Sequence, residues 1–162
     1  ALDAVFDRMG WSRVVLMPAR VQPFKVGNHA SSPFDRHAMA VLATYDDPRF
    51  EVSKLELERE GVSYTVDTLE TLHRANPNRS LEWVIGDDNL ALLPEWKSLD
   101  RILELANFVV LARGGEFVRY AAPCDPGCAA GSAFPIRTRV NSRCSEATGP
   151  AARKQSAVTA LR

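Results

Sequence analysis

Three times the sequence produces a short apolar run closed by a turn: "RVVLMPA" (Arg13 to Ala19), "LEWVIG" (Leu81 to Gly86) and "NFVVLA" (Asn107 to Ala112). A run of that length with little polar alternation suits a strand covered on both faces, the condition met when helical crossovers pack on a parallel sheet. Helical spacing fills the intervals. Leu2, Val5, Phe6 and Met9 share a face before Gly10; Phe34 to Thr44 follows Ser32 and Pro33, suited to a cap and a first helical position; Val66, Leu69 and Leu72 mark a helix from Val66 to Ala75. A short helical turn over Asp87 to Leu93 and a helix over Leu99 to Leu105 complete the pattern, and "FEVSKLELE" (Phe50 to Glu58) reads as a further strand. Strand and helix alternate, so the expected architecture is an α/β fold built on an open parallel sheet with flanking helices.

The pattern stops after Arg113. Residues 116–162 are rich in Gly, Pro, Ala and Arg with only brief apolar runs, and they read as a weakly ordered tail beside an α/β domain spanning 1–115. The chain opens on Ala inside a helical pattern that has no cap, so the natural beginning is expected upstream.

Twenty basic residues balance twenty acidic ones, and no run approaches the ~20 apolar residues of a membrane span. Neither nucleic acid nor membrane is therefore expected as a partner, and a cytoplasmic location follows, with no signal-peptide layout at the start. Cys124, Cys128 and Cys144 are an odd number without a second ligand pair, so neither a disulfide framework nor a zinc site is expected.

In an open parallel sheet, ligands bind beyond the carboxyl ends of the strands. Four polar clusters fall there: Pro18 to Lys25, Ser63-Tyr64-Thr65, Gly86-Asp87-Asp88 and Arg113-Gly114-Gly115. Hydroxyl residues at a helix mouth let a carboxylate or phosphate approach unpaired N–H groups, and Thr65 serves either that purpose or a plain cap. Lys25 is either a phosphate contact or a solvated loop cation, Trp96 either a stacking platform or core, and Asp88 either a ribose or cation ligand or a cap. His29, His37 and His73 stand beside no nucleophile, and His37 is expected to face solvent.

Taken together, "RVVLMPARVQPFK", "DRHAMAVLA", "FEVSKLELEREGVSYTVDTLETL", "LEWVIGDDNLALLPEW" and "ANFVVLARGG" resemble the bacterial nicotinate-nucleotide adenylyltransferases, Rossmann-like nucleotidyltransferases of the α/β-phosphodiesterase type. The resemblance runs from about Ala4 to Gly115, and its most specific element is E-x-x-R-x-G-x-S-Y-T-x-D-T-L from Glu56 to Leu69. It implies adenylyl transfer from ATP to nicotinate mononucleotide, with magnesium. By the same resemblance Thr65 receives the nicotinate carboxylate through its backbone, Tyr64 lines the pocket and Trp96 stacks on the pyridine. Gly86 and Asp88 approach the nucleotide, Lys25 lies near phosphate and Arg113 ends the last strand. Oligomeric state is left open, a homo-oligomer included.

The sequence departs from the family's pattern in three places. G-x-F-x-P-x-H-x-G-H, the family's triphosphate segment, is not in the chain; Phe24 stands where a His is usual; and "CSEATGPAAR", with Ser145, Ala147 and Thr148, only echoes I-S-[SA]-T-x-I-R. No catalytic residue is therefore named, and an impaired or truncated copy is expected, with a frame shift after about Tyr120 as one origin of the tail. An inactive nucleotide-binding module and a phosphopantetheine adenylyltransferase are the alternatives.

Overall fold

The structure is a computed structural model that describes residues 2–25, 31–112, 117–121, 137–139 and 157–161. Its helices are α1 (Leu2–Met9), α2 (Pro33–Thr44), α3 (Leu55–Glu58), α4 (Thr65–Ala75) and α5 (Leu99–Leu105). The strands are β1 (Arg13–Met17), β2 (Phe50–Val52), β3 (Leu81–Gly86), β4 (Ala106–Leu111), β5 (Phe117–Ala121), β6 (Arg137–Arg139) and β7 (Ala157–Leu161), and 3₁₀ segments cover Pro23–Lys25 and Asp87–Glu95.

One sheet runs β2-β1-β7-β3-β4-β5-β6. The pairs β1·β2 and β3·β4 are parallel, as expected of the α/β reading. β7 is antiparallel to both β1 and β3, which obliges those two strands to point the same way. The carboxyl ends of β1 to β4 therefore share one edge. The sheet is mixed rather than wholly parallel, because β5 and β6 also join antiparallel. The stretch read as a tail thus supplies three strands to the same sheet; its other residues, Cys124, Cys128 and Cys144 among them, lie outside the described ones.

The two-residue period of a strand sorts the core onto two faces. Val15, Met17, Leu81, Trp83, Ile85, Phe108 and Val110 meet Val66 and Leu69 of α4 and Ile102, Leu103 and Leu105 of α5. On the other face Val14, Val84 and Val109 meet Val5, Phe6 and Met9 of α1 and Trp11. Each of these side chains contributes about 1.5–3 kcal/mol by leaving water.

Glu82 shares the α1 face and has no solvent exposure. The Trp11 indole N–H donates to its Oε2, and the Arg119 guanidinium lies 2.5 Å from its Oε1.

Two local expectations are corrected. Phe50 to Glu58 is not one strand: β2 ends at Val52, Ser53 Oγ accepts the N–H of Leu55, and α3 begins there. α2 forms as expected with Pro33 in its first turn, yet its apolar side faces outward, with Phe34 63%, Leu42 78% and Tyr45 82% exposed, and Ser32 makes no side-chain cap.

Candidate functional site

The site edge is assembled from the segment after β1 inward. Pro18 to Gln22 leaves the sheet, and the 3₁₀ turn Pro23–Lys25 closes it. Its backbone is held from three directions. Arg36 of α2 donates to Ala19 O at 2.6 Å, Arg20 donates through its guanidinium to Leu57 O at 2.9 Å, and the Arg20 N–H donates to Ser63 Oγ at 3.0 Å. Ser63 returns its own N–H to Val21 O at 2.8 Å.

Those last two bonds pin the loop to the start of α4. Gly61, at φ +84°, turns the chain toward that start, and Tyr64 occupies the N-cap position in extended geometry. Tyr64 makes no side-chain cap bond and Thr65 is the first helical residue, so Thr65 is not the cap. The N–H groups of Thr65, Val66 and Asp67 have no acceptor inside the helix, which leaves a partial positive charge at the sheet edge.

Beneath this turn lies a buried polar cluster. Glu56 is 2% exposed and Thr68 is fully enclosed; the Thr68 hydroxyl donates to Glu56 Oε1 at 2.7 Å and accepts from Arg59. Burial pushes the Glu56 carboxyl above its ordinary range, against the opposing pull of the Thr68 hydroxyl, Arg59 and the Ser63 hydroxyl. Sequence reading quoted Glu56, Arg59 and Thr68 within a motif but gave them no task.

The next loop supplies a cation that sequence reading missed. Lys97 Nζ lies 4.5 Å from the centre of the Tyr64 ring and 3.4 Å from Asp67 Oδ1. Its adjacency to Trp96 was the available signal. Trp96 itself packs edge-on against Phe108, ring centres 5.9 Å apart, as a half-buried wall of the core. The structure thus gives Trp96 a packing role and brings Tyr64 against the same apolar cluster.

Gly86 and Asp88 sit together at the end of β3. A Cβ on Gly86 would come within 2.5 Å of Asp88 Oδ1, which also accepts from Asn89 Nδ2 at 3.2 Å. Asp88 is exposed, and among the described residues no three His, Cys, Asp or Glu converge on a metal position. Lys25 is placed in the turn after β1, whereas Arg113, Gly114, Gly115 and His29 lie outside the described residues. His37 does not face solvent freely: it is half-buried, and its Nε2 is enclosed without a partner among the described residues. No helix among the described residues is long and apolar enough to cross a membrane.

Comparison with known proteins adds to this geometry. The profile of the cytidylyltransferase-like family matches residues 1–145. A probable nicotinate-nucleotide adenylyltransferase of Herpetosiphon aurantiacus is 45% identical over 119 residues, covering 72% of this chain and 59% of that protein. The protein of that name from Mycobacterium avium is 40% identical over 119 residues, 74% of this chain and 56% of its own length. A third, from Opitutus terrae, is 35% identical over 141 residues, 87% of this chain and 63% of its own length. The chain therefore spans a little over half the length of the curated relatives it matches.

Proposed function

From the premise that the chain belongs to the cytidylyltransferase-like family, in the branch of the nicotinate-nucleotide adenylyltransferases, we propose that it takes part in adenylyl transfer from ATP to nicotinate mononucleotide. The observation that carries this reading is the start of α4, where unpaired backbone N–H groups, Tyr64 and Lys97 meet at the ligand edge of the sheet. A helix mouth with an adjacent ammonium suits a planar carboxylate such as that of nicotinate. The substrates are small molecules, and the reading places the protein in the cytoplasm.

In the reaction, a phosphate oxygen of the mononucleotide attacks the α-phosphorus of ATP. The new phosphorus–oxygen bond forms as the bond to the bridging oxygen of the β-phosphate breaks, and pyrophosphate leaves with its electron pair. No covalent protein intermediate is needed, so the chain's task is alignment and neutralisation of charge. Thr65 and its neighbours would hold the carboxylate, Tyr64 and the half-buried Trp96 would border the ring, and Lys25 and Arg113 would meet phosphate. Gly86 would leave room for the nucleotide and Asp88 would take a ribose hydroxyl. Magnesium would come with the ATP phosphates and shield their charge; Asp88, an exposed carboxylate at this edge beside exposed Asp87, would help hold it, since the ion commonly uses one or two carboxylates plus phosphate.

The test is pyrophosphate release with ATP, magnesium and nicotinate mononucleotide, beside calorimetry with each nucleotide alone. Binding of nicotinate mononucleotide with slow turnover, as of an impaired copy, is the expected result. Binding of the mononucleotide without turnover would make the chain a nucleotide-binding module, the reading favoured by Phe24 in place of the family's usual His. Turnover with phosphopantetheine instead would move it to the related adenylyltransferase. Absence of any nucleotide binding would sink the proposal.

A further inference from the structure

Ser63 is a hinge pin between the two loops that build the site. Its N–H and Oγ both bond to the segment after β1, at Val21 O and Arg20 N. Glu56, a buried acceptor in the cluster beneath, takes the Thr68 hydroxyl at 2.7 Å. Thr68 in turn sits one turn into α4 and reaches back to Tyr64 O through its N–H at 3.3 Å. Glu56 therefore holds the first turn of α4 beyond Tyr64 and Thr65, as Ser63 holds the chain before them.

We propose that Glu56 and Ser63 are positioning residues, which fix the spacing between the loop after β1 and the mouth of α4 so that one mononucleotide spans both. This rests on the functional reading just given and assigns it a device that neither residue performs by touching substrate. Ser63 Oγ accepts the Arg20 N–H from one side, and Glu56 holds Thr68 of α4 from the other. Replacing Ser63 by alanine removes the acceptor of the Arg20 N–H. The Ser63 N–H to Val21 O bond remains.

The experiment joins amide hydrogen exchange to calorimetry on the full chain. In Ser63→Ala the Arg20 amide should exchange at least tenfold faster than in the unsubstituted chain, while the amides of Leu69 and Phe108 keep their protection and show the fold intact. Nicotinate mononucleotide should bind about tenfold more weakly, the usual worth of one lost hydrogen bond, with ATP affinity unchanged. Ser63→Thr, which keeps the hydroxyl, should restore both values to within about threefold of the unsubstituted chain, and Glu56→Gln should fall between. Unaltered Arg20 exchange in Ser63→Ala overturns the proposal, as does faster exchange with unaltered mononucleotide affinity, or equal losses in the Ala and Thr variants. If the unsubstituted chain binds no mononucleotide, the functional reading fails and the positioning role fails with it, a result distinct from the others because it precedes any substitution.

Discussion

Replacing Arg119 by methionine tests the least conventional feature of the core. Glu82, the second residue of β3, has no exposure; the Trp11 indole N–H donates to its Oε2, and the Arg119 guanidinium forms an ion pair 2.5 Å from its Oε1. Losing one partner of a fully buried pair typically costs ~3–5 kcal/mol, because a charge is left without compensation. Here the Arg119 side chain is one third exposed, so water reaches one end of the pair and the lower part of that range applies, about 3 kcal/mol. For a chain of this size that corresponds to a fall of roughly 6–12 °C in Tm. Urea unfolding at pH 7 gives the free energy directly. In the double variant Arg119→Met with Glu82→Met, charge and counter-charge leave together, and stability should recover to within ~1 kcal/mol of the unsubstituted chain, less the unpaired Trp11 N–H. A cost below about 1 kcal/mol for Arg119→Met, or losses that simply add in the double variant, would refute this account of the core.

Other substitutions test the site edge. Because burial raises the Glu56 carboxyl above its usual range, the protonated form is favoured by folding; its contribution is fully present below the unfolded-state value near ~4.3 and is lost as pH rises through the raised folded value. Stability of the unsubstituted chain relative to Glu56→Gln should therefore decline as pH is raised from about 4, and a relative gain in urea midpoint would contradict the desolvation argument. Gly61→Ala should cost about 1–2 kcal/mol from its φ of +84° alone, since an added Cβ meets nothing within 4 Å, and Gly61→Asn should cost less; equal tolerance of both in thermal melts would deny the left-handed turn a role. Lys97→Gln should raise the KM for nicotinate mononucleotide about three- to tenfold while leaving the ATP KM within twofold, because an exposed ammonium near a bound carboxylate is worth about 1 kcal/mol; a change confined to the ATP KM would place Lys97 elsewhere in the reaction.

Some of this architecture was visible in local pattern, and some had no local signature. β1, β3 and β4 were legible because Val14 to Met17, Leu81 to Ile85 and Phe108 to Val110 are buried on alternate faces of one sheet, which forces near-continuous apolarity. α3 was missed because apolar alternation at Phe50 and Val52 resumes, one residue out of step, at Leu55 and Leu57; the slip at Ser53-Lys54 was the mark of a helix start. β7 was invisible for a different reason. "AVTAL" is unremarkable as text, and its partners Arg13 to Met17 lie nearly a chain length away. At the site, Ser63-Tyr64-Thr65 announced itself through composition at a helix mouth, whereas Glu56 and Lys97 work through space, and nothing in their spacing tells an exposed glutamate from one enclosed by Thr68.

The position of β7 has a bearing on how the chain reaches this shape. Arg13 pairs with Leu161 and Leu81 pairs with the same residue from the other side, so β1 with β2, and β3 with β4, have no ladder to each other until residues 157–161 have been synthesised. During translation each half-sheet carries an open hydrogen-bonding edge in its middle rather than at its rim, a state prone to mispairing with other chains. Closure is of the highest contact order available to this sequence, which predicts slow final docking and a waiting intermediate whose lifetime would depend on chaperone supply. Expression yield and solubility should accordingly respond more to changes in residues 157–161 than their small share of the core suggests.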